Sequence, residues 1–423
     1  MKTPKLLFGV AVISALSAGC QPKEDYSWLK NAIDTATVQL ENTAKELNGT
    51  RQIPRCIITD YDDAFLESQL EYPVVGDSIK ARPAAELIGT RHCCNNIFDW
   101  TVGFFPGSLW YAYELTGKEE LKDQASYFTN LLYNLKDYDK THDIGFMVNC
   151  SYGNAYRLTQ NDTIPEILIS TANNLIGRYD PEIGCIRSWD FGTWNFPVII
   201  DNMMNLDLLY NAAVITNDPK YKEVAINHAT TTMHNHFRPD MTCYHVVSYN
   251  PDGTVELKQT WQGKNDESSW SRGQGWAVYG YPQAYEHTGK QEFLDWGEKV
   301  ADMIMTKVTT EDAVPYWDYE APVSDATPRD ASAAAVTACG MLELYKLTEN
   351  QKYMDYAEKI LKSLSSPAYL AEPGTNQGFV LMHSVGSLPN RSEIDTPINY
   401  ADYYYLEAIV RYMNIKGITY SDL

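Results

Sequence analysis

Five segments of the chain share one signature, a Thr followed five residues later by an apolar residue. They are Thr116/Leu121, Thr159/Ile164, Thr216/Tyr221, Thr288/Phe293 and Thr348/Tyr353, at spacings of 43 to 72 residues. Four continue with a small residue four positions on: Ala125, Ala225, Gly297 and Ala357. The stretch before each Thr has a helical pattern, and the stretch after it is amphipathic with a period near 3.6, as in Tyr353–Leu361. A short polar turn separates them, so each unit reads as a helical hairpin. Hairpins repeated in series bury their apolar faces only by stacking on neighbours. The segments near Tyr26–Leu47 and Tyr400–Met413 supply a sixth pair. The expected fold is therefore all-α, an (α/α)6 barrel formed as a toroid of six hairpins, with an open solenoid as the competing architecture. Long irregular inserts, Arg51–Arg91, Ser188–Pro197, Tyr249–Ser271 and Ser365–Pro397, favour closure. With the turns at one end of a toroid, the inserts should crowd the other.

Residues 1–20 stand apart as a lipoprotein-type signal peptide. Lys2 and Lys5 precede the apolar stretch Leu6–Leu16, and Ser17-Ala18-Gly19-Cys20 follows. Cys20 would become a lipidated N-terminus after cleavage; an ordinary secretory signal with a chance Cys is the alternative. Either reading makes the protein exported, to the periplasm or the cell surface, with a membrane touched only through that anchor. The apolar run is too short to span a bilayer stably. Residues 21–423 then form a single catalytic domain. Seven cysteines remain in it with no C-x-x-C pair, which argues against a structural zinc site and for mostly free, buried thiols.

The balance of 34 basic and 55 acidic residues gives a formal net charge of −21, and no local basic patch relieves it. Nucleic-acid binding is excluded on that ground. The chain also carries 30 Tyr and 10 Trp, residues that suit stacking on sugar rings and equally well a Tyr-rich core.

Chemistry must come from a few polar residues among apolar neighbours. In Pro197-Val198-Ile199-Ile200-Asp201-Asn202-Met203-Met204-Asn205-Leu206 the Asp201 carboxylate would lose hydration, which raises its pKa and keeps a proton available near neutrality. The same residue types also serve as helix N-caps. Thr141-His142-Asp143-Ile144-Gly145-Phe146 offers a second carboxylate, and two of them, one protonated, equip a site for acid/base work on a glycosidic oxygen or enol ether. Arg272 has the planar fork that matches a carboxylate, whether of a ligand or of a protein acid. His245 fits either a ligand contact or a satisfied interior imidazole.

Several strings, in order, resemble the unsaturated glucuronyl hydrolases of glycoside hydrolase family 88. They are Asp99–Phe104, His142–Phe146, Ile199–Asp201, Tyr244-His245, Trp270–Ala277, Tyr316–Asp318, Arg329–Ala333 and Asp402–Ala408. The resemblance spans roughly residues 95–412 and implies the same (α/α)6 barrel. It implies hydration of the C4=C5 double bond that polysaccharide lyases leave on a non-reducing-end uronic acid, followed by loss of the adjacent sugar. Asp201 matches the family's general acid/base and Asp143 its second carboxylate, with no metal or organic cofactor. Trp100, Trp189 and Trp276 would wall the uronate ring, while His142, His245, Gln262 and Arg272 would bind its hydroxyls and carboxylate. The family's Thr-His-Gln-Gly reads Thr260-Trp261-Gln262-Gly263 here, and Ser384 and Ser387 lie where a sulfate on the leaving sugar would fall. The implied partner is an unsaturated uronic-acid oligosaccharide, probed with glycosaminoglycan products; an unsaturated rhamnogalacturonyl hydrolase acting on pectin fragments and a noncatalytic glycan-binding lipoprotein are the competing readings. Neither oligomeric state nor sulfation pattern follows from the sequence. With an anionic substrate and an acidic surface, raising ionic strength is expected to leave kcat/KM unchanged or higher; a steep loss with salt would reveal a cationic steering surface.

Overall fold

The computed structural model describes residues 25–71 and 81–423. The proposed signal segment and Cys20 lie outside the described residues. Each of the five Thr residues ends a helix, and its side chain explains why. The hydroxyl donates to the carbonyl four residues back at 2.5–2.7 Å. It also accepts the N–H two residues on, at 3.2–3.4 Å. The residue between is left-handed, with φ of 52–69° at Gly117, Gln160, Asn217, Gly289 and Glu349. The last turn is thereby satisfied and the chain reverses at once into the next helix.

The paired helices are Phe104–Thr116 with Glu119–Asn130, 144–159 with Ile164–Ile176, Asn202–Thr216 with Pro219–Asn235, Ser271–Thr288 with Gln291–Lys307, and Ala331–Thr348 with Gln351–Leu364. The first of each pair belongs to an inner ring closed by Asn399–Lys416, which packs against Phe104–Thr116. Ser27–Leu47, from the other end of the chain, completes the outer ring. Trp28 meets Tyr412 edge-on at 5.8 Å, and Lys30 donates to Tyr420 at 3.0 Å. Inner helices are buried on all sides, as every residue from Ala331 to Leu344 is, whereas Gln351–Leu364 buries one stripe. The hairpin pattern and closed ring expected from the sequence are thus what the chain forms. The second inner helix departs from the pattern, because Asn149–Gly153 is wound as a π-helical segment.

Side-chain size is set where rings touch. Gly297 lies against the Pro282 ring, 3.0 Å from where a Cβ would stand, so the small position after that turn admits no side chain without a shift. Around Gly107 a Cβ would fall 2.4 Å from the Tyr403 ring and 2.6 Å from the Cys150 carbonyl.

Every inner helix ends at its turn, so its N-terminus faces the opposite mouth, where the inserts gather. A three-stranded antiparallel sheet there runs Pro197–Ile199, Val246–Tyr249, Val255–Gln259. Pro54–Ile57 pairs with Arg91–Cys93 beside it, and Cys56 bridges to Ile398. Of the seven cysteines among the described residues, five are buried. No described helix is long and apolar enough to cross a membrane. Gly107→Ala is expected to cost about 1–3 kcal/mol by overpacking the seam that closes the ring, read as a lower urea midpoint with an unchanged slope.

Candidate active site

The insert-bearing mouth opens into a cavity of about 500 Å³ lined by Trp100, Asp143, Trp189, Asp201 and Gln262, among others. Asp201 stands at the start of the helix Asn202–Thr216, yet its side chain caps no N–H. It is 7 % exposed, and its Oδ1 has no hydrogen-bond partner. Burial pushes its pKa from 3.8 up to about 7; the Arg272 cation opposes the rise and the Asp143 charge adds to it.

The sheet sets what faces this carboxylate. Ile199 pairs with Val246, and Ile200 N–H donates to the His245 carbonyl at 3.1 Å, so His245 arrives beside Asp201. Its Nδ1 accepts the backbone N–H groups of Trp261 (3.0 Å) and Gln262 (3.2 Å). The ring is neutral, its pKa held well down by burial. With Nδ1 accepting, the proton sits on Nε2, 3.6 Å from Asp201 Oδ1, too long for a hydrogen bond.

Asp143 precedes the helix Ile144–Val148, accepts the Thr141 hydroxyl at 2.9 Å and lies 3.1 Å from His142 Nε2. His142 is fully buried, with its pKa lowered chiefly by that burial. The two carboxylates therefore share one cavity in different surroundings. Asp201 is almost wholly buried with its Oδ1 unpartnered, whereas Asp143 is partly exposed and accepts the Thr141 hydroxyl. That is the division of labour a site needs when one acid delivers a proton and the other stays charged.

The wall beside Asp201 is aromatic. Trp189 stacks on Phe191 at 4.9 Å and meets Trp194 at 5.6 Å, and Trp194 meets Trp261 at 5.7 Å. Gly192, at φ +84°, permits this fold-back, since a Cβ there would lie 2.5 Å from the Trp194 ring. On the opposite side Trp100 packs on Tyr400 at 5.0 Å.

Comparison with known proteins decides what kind of site this is. Residues 78–305 match the family model described as glycosyl hydrolase family 88. An unsaturated glucuronyl hydrolase of Formosa agariphila is 44% identical over 322 residues, covering 75% of this chain and 80% of that protein.

The chain belongs to glycoside hydrolase family 88.

An unsaturated chondroitin disaccharide hydrolase of Streptococcus agalactiae is 32% identical over 341 residues, 75% of this chain and 84% of that protein. A crystal structure of an unsaturated glucuronyl hydrolase specific for heparin superposes with a TM-score of 0.84 at 44% identity, covering 93% of this chain and 99% of that one. Two further models match parts of the chain, a domain of unknown function over residues 1–72 and glycosyl hydrolase family 47 over residues 278–404. The family 88 chain is a glycoside hydrolase with the (α/α)6 barrel.

Of the residues expected at its site, Trp100, Trp189, Gln262, Asp143 and Asp201 line the cavity, and His142 and His245 stand directly behind the two acids. Arg272 and Trp276 lie behind the cavity wall, both close enough to act on Asp201. Arg272 is 1 % exposed and already engaged: with Asp330 at 3.1 Å, the Gly386 carbonyl at 2.8 Å and the Val385 carbonyl. It lies between the Trp270 and Tyr400 rings, at 4.4 and 5.1 Å. Its fork met a carboxylate of the protein, and it tethers the loop 383–391 while tuning Asp201 through space. Trp276 is fully buried against Phe146 and Tyr404, beneath the cavity rather than beside it. Ser387 lines the cavity, and Ser384 is buried away from it.

Phe98, Tyr138, Phe191, Lys140, Asn390 and the buried pair Arg55–Glu393 (2.5 Å) line the cavity without having been singled out. Phe191 and Trp194 lay inside an insert already marked as Trp- and Gly-rich; Arg55 carried no signal, because its acid partners Asp99 and Glu393 are far away in the chain. Among the described residues no group of three or more His, Cys, Asp or Glu is placed to hold a metal ion.

The raised pKa of Asp201 fixes the sign of a stability effect. Between its unfolded value near 3.8 and about 7, the native state holds a proton that the unfolded chain releases, so stability falls as pH rises through that window. Asp201→Asn is expected to raise stability at pH 8 by about 2–4 kcal/mol, and the gain should vanish near pH 3 in paired urea titrations.

Proposed function

We propose that this hydrolase removes the unsaturated uronic acid from the non-reducing end of lyase-generated glycosaminoglycan oligosaccharides. The proton on Asp201 passes to C4 of the enol ether, and water adds its oxygen to C5 as the Asp201 carboxylate takes the proton released. The C5 hemiketal opens to a ketone, leaving O5 as a hydroxyl on C1; that hemiacetal collapses to an aldehyde, and the neighbouring sugar leaves with its glycosidic oxygen and the hydroxyl proton. Asp201 leaves the cycle protonated, as it entered. Asp143 orients the ring hydroxyls and supports the positive charge that develops beside the ring oxygen. Trp100 and Trp189 flank the ring, and Gln262, held by its bond to the Gly386 carbonyl at 2.9 Å, faces the substrate's polar edge.

The observation that carries this reading is a nearly buried carboxylate opening into an aromatic-walled cavity, its pKa raised to about 7 by that burial. The names of its relatives support the substrate class. One is specific for heparin, others act on unsaturated chondroitin disaccharides, and a Streptococcus agalactiae structure holds dGlcA-GalNAc6S. We further propose export, with Cys20 as the lipidated N-terminus. Cells fed an alkyne-tagged fatty acid should label the wild-type protein and not Cys20→Ser.

A panel of unsaturated heparin, chondroitin and pectin disaccharides, followed by loss of the double bond's ultraviolet absorbance, tests the activity. Consumption of glycosaminoglycan products is expected; consumption of pectin fragments alone, or binding without turnover, would overturn the reading. Asp201→Asn should lower kcat about 10²–10⁴-fold. Since the protonated acid acts, kcat/KM should fall as pH rises through about 7.

A further inference from the structure

His142 and His245 differ in how their tautomer is set. For His245 two backbone N–H groups do it, independent of the side chains that carry them. For His142 side chains do it, with Asn205 in hydrogen-bond contact with Nδ1 and Asn202 close by. Asn205 lies one turn into the helix that Asp201 begins, fully buried. Its Oδ1 accepts the Phe146 N–H at 2.9 Å, which fixes the amide's orientation and leaves Nδ2 as the donor. Nδ2 lies 3.2 Å from His142 Nδ1. That ring nitrogen accepts, so the imidazole proton sits on Nε2, 3.1 Å from Asp143 Oδ1 although out of line for a hydrogen bond.

The neighbourhood is shaped around this amide. Gly145, two residues after Asp143, would place a Cβ 2.4 Å from Asn205 Oδ1 and 2.5 Å from its Cβ. Any side chain there would push Asn205 off both partners. Asn205 thus ties the helix carrying Asp201 to the turn carrying Asp143, without lining the cavity itself.

We infer that Asn205 is a positioning residue for the reaction: its amide holds His142 as the Nε2–H tautomer, which keeps the N–H edge of the ring beside Asp143 and so biases that carboxylate's placement and charge against the substrate. This rests on the role proposed above for Asp143. A carboxylate at position 205 would keep the bond from Phe146 but has no donor to offer, so His142 would have to place a proton on Nδ1.

The test compares wild type with Asn205→Asp, each labelled with ¹⁵N-histidine, His142 being assigned by its loss in His142→Gln. Long-range ¹H–¹⁵N spectra read the tautomer, and an unsaturated glycosaminoglycan disaccharide gives kcat and KM. Expected are Nε2–H in wild type, protonated Nδ1 in Asn205→Asp, and a kcat loss of about 10²-fold with KM within about threefold. A wild-type His142 protonated on Nδ1 would overturn the inference, and that reading does not depend on the variant folding. So would a tautomer switch with kcat unchanged, or a kcat loss without a switch, which would mark a merely structural role. Wild-type protein that consumes no unsaturated disaccharide would fail at the earlier step, sinking the functional reading and this inference with it.

Discussion

The geometry of the molecule follows from how its inner helices end. A Thr hydroxyl closes each of five turns against the carbonyl four residues back, and the next residue, left-handed, sends the chain straight into the outer ring. With every turn at one mouth, every inner-helix N-terminus and every long connection must lie at the other. The site is built there from helix starts: Asp143 before Ile144, Asp201 before Asn202, Trp270 and Arg272 at Ser271, Asp330 before Ala331. Converging positive helix ends also bring partial positive charge to one mouth of a protein whose formal net charge is −21. A small anion can then be held locally where the bulk field opposes it.

Within that frame the two carboxylates differ by their surroundings rather than their type. Asp201 is almost wholly buried and its Oδ1 has no partner, whereas Asp143 has a hydroxyl at 2.9 Å and an imidazole nitrogen at 3.1 Å. Both neighbouring imidazoles are neutral, so neither supplies a full positive charge that would pull Asp201 back towards its ordinary value. Arg272 does oppose the rise, but its charge is shared with Asp330 and two carbonyls, and burial prevails.

What could be read from the sequence was what local periodicity and the family's strings encode. The Thr signature located five hairpins because it is a turn's own chemistry, written within six residues. The inserts located the site mouth by elimination. Asp143 and Asp201 were legible as polar residues in apolar runs, but their sharing of one cavity was not, because a gap of 58 residues carries no distance. Arg272 was ambiguous for a physical reason: a guanidinium fork fits Asp330, its partner in the structure, as well as it fits a uronate. Trp276 was ambiguous because an indole in a Gly-rich helix start looks the same whether it walls a ring or fills the layer below. The π segment at Asn149–Gly153 and the Arg55–Glu393 clamp left no local trace, since both are set by packing between distant elements.

The central claim is that a proton from a buried Asp201 reaches C4 of an unsaturated uronate, so that hydration rather than direct cleavage releases the sugar. Running the reaction in D₂O and examining the early product by NMR tests it most directly. One deuterium at C4, on a single face, formed in step with loss of the double bond and greatly slowed in Asp201→Asn, is the expected result. Release of the sugar with no solvent deuterium at C4 would contradict it.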